Sequence, residues 1–218
     1  MTRHGATLFL ILILTFACSC AAKVDYALYR SRLPRSILVL PPQNSSTAVE
    51  ATYIYLSTAS RPLAEAGYYV FPVAVIDAFM KENGLPTPDE MHGVSLKKIK
   101  EVLGADAVLY ITIEEWGQKY HVISSSTVVR AGGRLVDVET GATLWTGKAR
   151  AVRDSGAGGQ GGIIGALIAA AVHQIVFSMV DQTHELSRFA TTTMVFNQDN
   201  GLLFGPRHPE FNTDQRGR

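Results

Sequence analysis

From Ser36 onward the chain alternates between short apolar runs and amphipathic stretches, punctuated by glycine and proline. Ser36 to Leu40 (SILVL) is a continuous β-branched run stopped by Pro41-Pro42, the pattern of a strand buried on both faces. Thr47 to Ala66 carries Ala48, Ala51, Ile54, Tyr55, Leu63 and Ala66 near one helical face, and Gly67 ends it. Tyr68 to Val73 reads as a second strand. Ala74 to Glu82 reads as a short helix closed by Asn83-Gly84. Pro86, Pro88 and Asp89 mark a loop. Ser95 is placed to cap a helix over Leu96 to Leu103, which Gly104 closes.

The second half changes period. Ala107 to Trp116, Lys119 to Arg130, Gly132 to Glu139 and Ala142 to Ala151 read as successive strands, the last two joined by a tight Thr140-Gly141 hairpin. Ser155 to Gly162 (SGAGGQGG) is a glycine loop. Ile163 to Val180 follows as a mostly apolar helix, with a more polar continuation to about Arg188. This order predicts an α+β (mixed α/β) fold, with one mixed sheet covered by helices and an antiparallel meander in its second half. The segments are then a leader at 1–19, a tether at 20–35, one domain at 36–190 and an irregular tail at 191–218.

The N-terminus adds a different signal. Arg3 and His4 precede the ten apolar residues Leu8 to Ala17, a run spanning about half of a ~30 Å hydrocarbon core and therefore shaped like a signal-peptide h-region. Small residues and cysteine follow. A cysteine at the new N-terminus can carry thioether-linked diacylglycerol and an N-acyl chain, the two signals that make anchoring stable. Two registers compete. Bulky Phe16 sits two residues before Cys18, whereas Ala17-Cys18-Ser19 before Cys20 is uniformly small, so Cys20 is the favoured lipidation site and Cys18 the alternative. An ordinary signal cut near Ala22, releasing a soluble protein, is the competing reading.

Composition narrows the function classes. The 218 residues are 47% hydrophobic and 18% charged, enough for a packed core. With 20 Lys+Arg against 19 Asp+Glu there is no general pull on nucleic acid, and that partner is set aside. Cys18 and Cys20 are the two cysteines, so the body has neither a disulfide framework nor thiolate metal ligands.

Candidate chemistry is sparse. Gly156-Ala-Gly158-Gly-Gln-Gly161 matches G-x-G-x-x-G, but it follows antiparallel strands with no ribose-binding acid on a later strand; a small-ligand or nucleotide module built on Gly156 to Gly162 is the alternative function. His173 and His184 share a helical face but lie ~16 Å apart, too far for one metal. Glu114 and Glu115 on one strand should point to opposite faces rather than form a carboxylate pair. No catalytic residue, cofactor or metal site is assigned. Helix 163–180 is an alternative oligomer-contact or insertion element. The aromatic surface near Tyr68-Tyr69 and the tail from Phe204 to Phe211 are expected partner contacts.

Five phrases carry a family resemblance: Ser36-Ile-Leu-Val-Leu-Pro-Pro42, Ala64-Glu-Ala-Gly-Tyr-Tyr-Val-Phe-Pro-Val73, Gly104-Ala-Asp-Ala-Val-Leu-Tyr-Ile111, Leu135-Val-Asp-Val-Glu-Thr-Gly-Ala-Thr-Leu-Trp145 and Gly201-Leu-Leu-Phe-Gly-Pro-Arg-His-Pro209. Over Cys20 to Pro209 the chain resembles a family of bacterial lipoproteins of unknown function that includes a meningococcal surface-antigen candidate. The resemblance implies a domain similar to the N-terminal domain of TolB and to curli-secretion lipoproteins. It further implies a non-catalytic envelope role, periplasm-facing on the outer membrane, with envelope protein partners. Cys20, before Ala21-Ala22-Lys23, is the residue it carries over.

Overall fold

In a computed structural model of the protein, residues 26–120, 125–154 and 179–213 are described. The fold is α+β: helices pack on both faces of a mixed sheet. The strands are β1 (Ser36–Val39), β2 (Gln43–Asn44), β3 (Tyr69–Val70), β4 (Ala107–Tyr120), β5 (Ser125–Asp137) and β6 (Thr143–Asp154). The helices are α1 (Ala27–Ser31), α2 (Ala51–Glu65), α3 (Val73–Glu82), α4 (Pro88–His92), α5 (Leu96–Leu103) and α6 (Met179–Val195). Strand order is β3-β1-β4-β5-β6, with β2 pairing β4 just beyond β1. β1 lies parallel to both β3 and β4, while β4, β5 and β6 form an antiparallel meander.

The apolar run of β1 is explained by its position. Ile37 and Val39 face one helical layer and Leu38 and Leu40 the other, all at most 1% exposed. The first layer is α1, α2 and α6. α2 presents Ala51, Tyr55, Ala59 and Leu63, a four-residue spacing that makes one buried stripe. α6 answers with Leu186, Ala190 and Met194, and Thr58 and Ser187 hydroxyls meet at 3.1 Å between the two helices. The second layer is thinner: α3, α4 and α5 contribute Ile76, Met80, Met91 and Ile99 over Leu38, Leu40 and Val108. At ~1.5–3 kcal/mol per fully buried large aliphatic side chain, both layers are needed to hold the sheet.

Local signals account for most boundaries. The Ser95 hydroxyl accepts from the Lys98 amide at the start of α5, and Gly104 ends it at φ +70°. Three elements differ from the pattern-based expectation. The stretch after Pro86 is a helix, α4, because Thr87 and Glu90 close a reciprocal capping box around Pro88. The strand expected at Lys119–Arg130 is divided: Lys119 and Tyr120 end β4, while Ser125 to Arg130 runs on into the strand expected at Gly132–Glu139 as one continuous β5. The Thr140-Gly141 link is wider than a two-residue hairpin, with Asp137 Oδ1 accepting from the Thr140 amide and hydroxyl at 2.8 and 2.6 Å.

The ends of the domain are more structured than expected. Residues from Tyr26 belong to the folded body: Tyr26 and Tyr29 are buried, and the Tyr26 hydroxyl donates to the Gly201 carbonyl at 2.6 Å. The expected tether at 20–35 is therefore shortened by a helix. At the other end, α6 runs on to Val195, and Leu202 and Leu203 are core residues. The Gly205 amide donates to the Ala66 carbonyl at 2.7 Å, and the Arg207 amide to that of Gly67 at 3.1 Å. Gly67 sits at φ +91° with the tail backbone so close that a Cβ would collide with it. The glycine loop at 155–162 and most of the helix expected at 163–180 lie outside the described residues. Among those described, no helix is long and apolar enough to cross a membrane.

Candidate functional site

The two faces of the meander have different cover. Toward α6, β6 places Trp145, Gly147, Ala149 and Ala151, all buried. The Trp145 ring lies over Gly147 and Gly133 beside Met194, filling the space any side chain there would need. The opposite face is closed near Val108 by α5 and its neighbours, then opens.

Cross-strand register lays out that open face in rows. Tyr110, Arg134 and Thr146 form the first, Thr112, Gly132 and Lys148 the second, and Glu115, Arg130 and Arg150 the third. The first two rows, with His92 at one side and the Glu114 side chain, line a cleft of about 600 Å³, and the third row continues the same face outside it. Gly132 contributes no side chain to its middle, where the Glu114 carboxylate and the Lys148 stem come closest. α4 positions His92, whose Nε2 is 2.9 Å from the Pro41 carbonyl and whose ring meets Tyr110 edge-on at 5.2 Å. The Arg134 guanidinium lies 4.7 Å from the centre of the same Tyr110 ring. Burial pushes the Tyr110 phenol up and the His92 imidazole down, so His92 is neutral near pH 7.

The acidic pair corrects an expectation. Glu114 and Glu115 were expected on opposite faces, but the pairing slips between Ile113 and Glu115. This bulge brings both carboxylates to Arg130, at 2.9 and 3.3 Å from its Nε. A hydrogen bond from Lys119 holds the Glu115 carboxyl below its usual range. Both acids are thereby engaged. Arg134, Lys148 and Arg150 have no carboxylate within salt-bridge distance among the described residues. The site is suited to attracting anionic groups.

The other anticipated residues are dispersed. Cys18, Cys20, Gly156 to Gly162, His4, His121 and His173 lie outside the described residues. His184 sits on α6, where its carbonyl accepts from Ser187. Of the aromatic pair, Tyr69 is exposed, but Tyr68 is buried, with its hydroxyl 2.6 Å from the Leu203 carbonyl. Phe204 stacks on His208 at 3.6 Å, so this part of the tail is packed locally. Among the described residues no group of His, Cys, Asp and Glu is disposed to hold a metal. The cationic rows were readable only as alternation in Arg130, Arg134, Lys148 and Arg150; their convergence required the register.

Comparison with known proteins agrees with the topology and the phrases quoted above. Residues 24–207 match the family model described as "Putative lipoprotein GNA1162-like". The chain belongs to this family. It is 41% identical over 191 residues to "Putative lipoprotein NMB1124/NMB1162" of Neisseria meningitidis serogroup B, covering 87% of this chain and 88% of that relative. The crystal structure of lipoprotein GNA1162 from Neisseria meningitidis is similar at 44% identity and a TM-score of 0.54, over 58% of this chain and 88% of that one. Membership in a lipoprotein family associates the chain with the cell envelope.

Proposed function

We propose that this protein is a lipid-anchored, non-catalytic component of an envelope assembly or transport system, acylated on Cys20 and facing the periplasm from the outer membrane. What supports the reading is where the domain begins. Tyr26 is a core residue six positions after Cys20, and the family match starts at residue 24, so the described core and the matched region both lie downstream of Cys20. Cleavage before Cys20 would leave Ala21 to Asp25 between anchor and body. At ~3.3–3.6 Å per extended residue, that linker reaches roughly 20 Å, which keeps the domain against its membrane. The open face supplies a binding surface rather than a reactive centre.

The test is intact mass of the protein extracted from membranes, for wild type, Cys20→Ala and Cys18→Ala. A di- or triacyl adduct lost only in Cys20→Ala is the expected result. An unacylated wild type overturns the anchoring and the function built on it. An adduct lost only in Cys18→Ala moves the anchor.

A further inference from the structure

We infer that the open face of the β4-β5-β6 meander docks an extended acidic segment of a partner protein. The inference rests on the reading of the chain as an anchored envelope component and names the partner chemistry.

Charge is the first argument. The chain as a whole is nearly balanced, 20 Lys+Arg against 19 Asp+Glu, yet this face gathers four cations. Its two carboxylates, Glu114 and Glu115, both go to Arg130. Arg134 and Lys148 are left as neighbours of one sign, and Arg150 beside them feels Glu115 only beyond salt-bridge distance. A solvated face needs only mixed charge; this one has an excess that an anionic occupant would neutralise.

Spacing is the second. Gly132 pairs with Lys148, which makes Arg134 a diagonal neighbour of Lys148 at ~7–8 Å. Lys148 and Arg150 lie two residues apart on one strand, about 7 Å. An extended peptide repeats its side chains on one face at the same ~7 Å interval, so acids at alternate positions meet successive cations. Gly132 adds no side chain of its own to the floor, which is bordered by the Lys148 stem and by the Glu114 carboxylate that Arg130 holds. The Tyr110 ring, held between Arg134 and His92, forms a fixed wall.

Direction is the third, and it separates a protein from a lipid occupant. α1, the helix nearest Cys20 in the chain, packs with α2 and α6 on the opposite face of the sheet. The cationic rows therefore turn away from the layer to which the anchor is joined, toward the space where a soluble partner would approach.

The experiment uses the full-length acylated protein in neutral detergent, with fluorescence anisotropy of a labelled peptide bearing Glu at alternate positions. Its controls are the Gln and Lys counterparts of that peptide. Expected is about tenfold tighter binding of the Glu peptide than the Gln peptide, weakening with added salt. Lys148→Glu with Arg150→Glu should lose that advantage and favour the Lys peptide, with an unchanged melting temperature because both side chains are exposed. Lys148→Gln alone should fall in between. Equal binding of Glu and Gln peptides, or undiminished Glu-peptide binding by the double variant, overturns the inference. Displacement of the peptide by phosphatidylglycerol vesicles, or binding of an oligouronate in its place, overturns a protein occupant. Intact mass on the same samples separates the two ideas: an acylated protein that ignores the peptide sinks only the docking surface, and an unacylated one sinks the anchored function.

Discussion

Along β6, Trp145, Gly147, Ala149 and Ala151 alternate with Thr146, Lys148 and Arg150, and the two sets live under different rules. The first set faces α6, where volume decides what fits: the largest side chain covers glycines because the remaining space is already taken. The second faces the open side of the sheet, where charge and reach matter and volume hardly does. Neighbouring residues of one strand should therefore respond to substitution in opposite ways, the covered set through stability and the open set through binding.

The largest effect that would break this comparison lies at Trp145. Trp145→Ala empties a core site and abandons the 2.6 Å bond from the indole to the Asn200 carbonyl. It should cost about 3–5 kcal/mol in chemical denaturation, and a loss below ~1 kcal/mol would mean that α6 packs less firmly than described. Gly147→Ala comes next, at about 1–3 kcal/mol, because the new methyl collides with the Trp145 ring and Met194. Thr146→Ala, one position away, should stay within about 0.5 kcal/mol of wild type.

The smallest effect sharpens the comparison at the rim of the cleft. Burial lowers the His92 imidazole, so the unfolded chain takes up its proton at higher pH than the folded one. His92 thus favours folding above about pH 6.5, and that contribution is lost as pH falls through the lowered folded value. Melting temperatures of wild type and His92→Gln should diverge above pH 6.5 and converge below it. Parallel curves would show that His92 is not burdened by burial.

How much of this could be read from the chain follows from which signals are local. β1 and the core of β4 were legible because runs of β-branched residues have few other uses, and α5 because Ser95 and Gly104 are paired stop signals. α4 was legible in principle, since Thr87 and Glu90 spell a capping box, but Pro86 and Pro88 on either side of Thr87 are equally the marks of a loop. The Glu114–Glu115 pairing was not, because strict alternation fails at a bulge, and a bulge is set by the partner strand. Tyr26, Tyr29 and the Leu202-Leu203 stretch were hidden for a related reason. Each is too short to show a period, and what orders it is contact with the far end of the chain. The cleft was half-visible: its cations could be counted, but not seen to converge.

If the chain is exported as proposed, that clasp between its ends bears on how it crosses the membrane. The Tyr26 hydroxyl closes on Gly201 across 175 positions, and the Tyr68 hydroxyl closes on Leu203 across 135. A chain threaded outward from its N-terminus holds Tyr26 and Tyr68 on the far side long before their acceptors arrive. The core cannot seal until almost the last of the polypeptide has crossed, and such distant contacts form slowly even then. The same closure that completes the domain would leave the emerged part of the chain unsealed for nearly the whole passage.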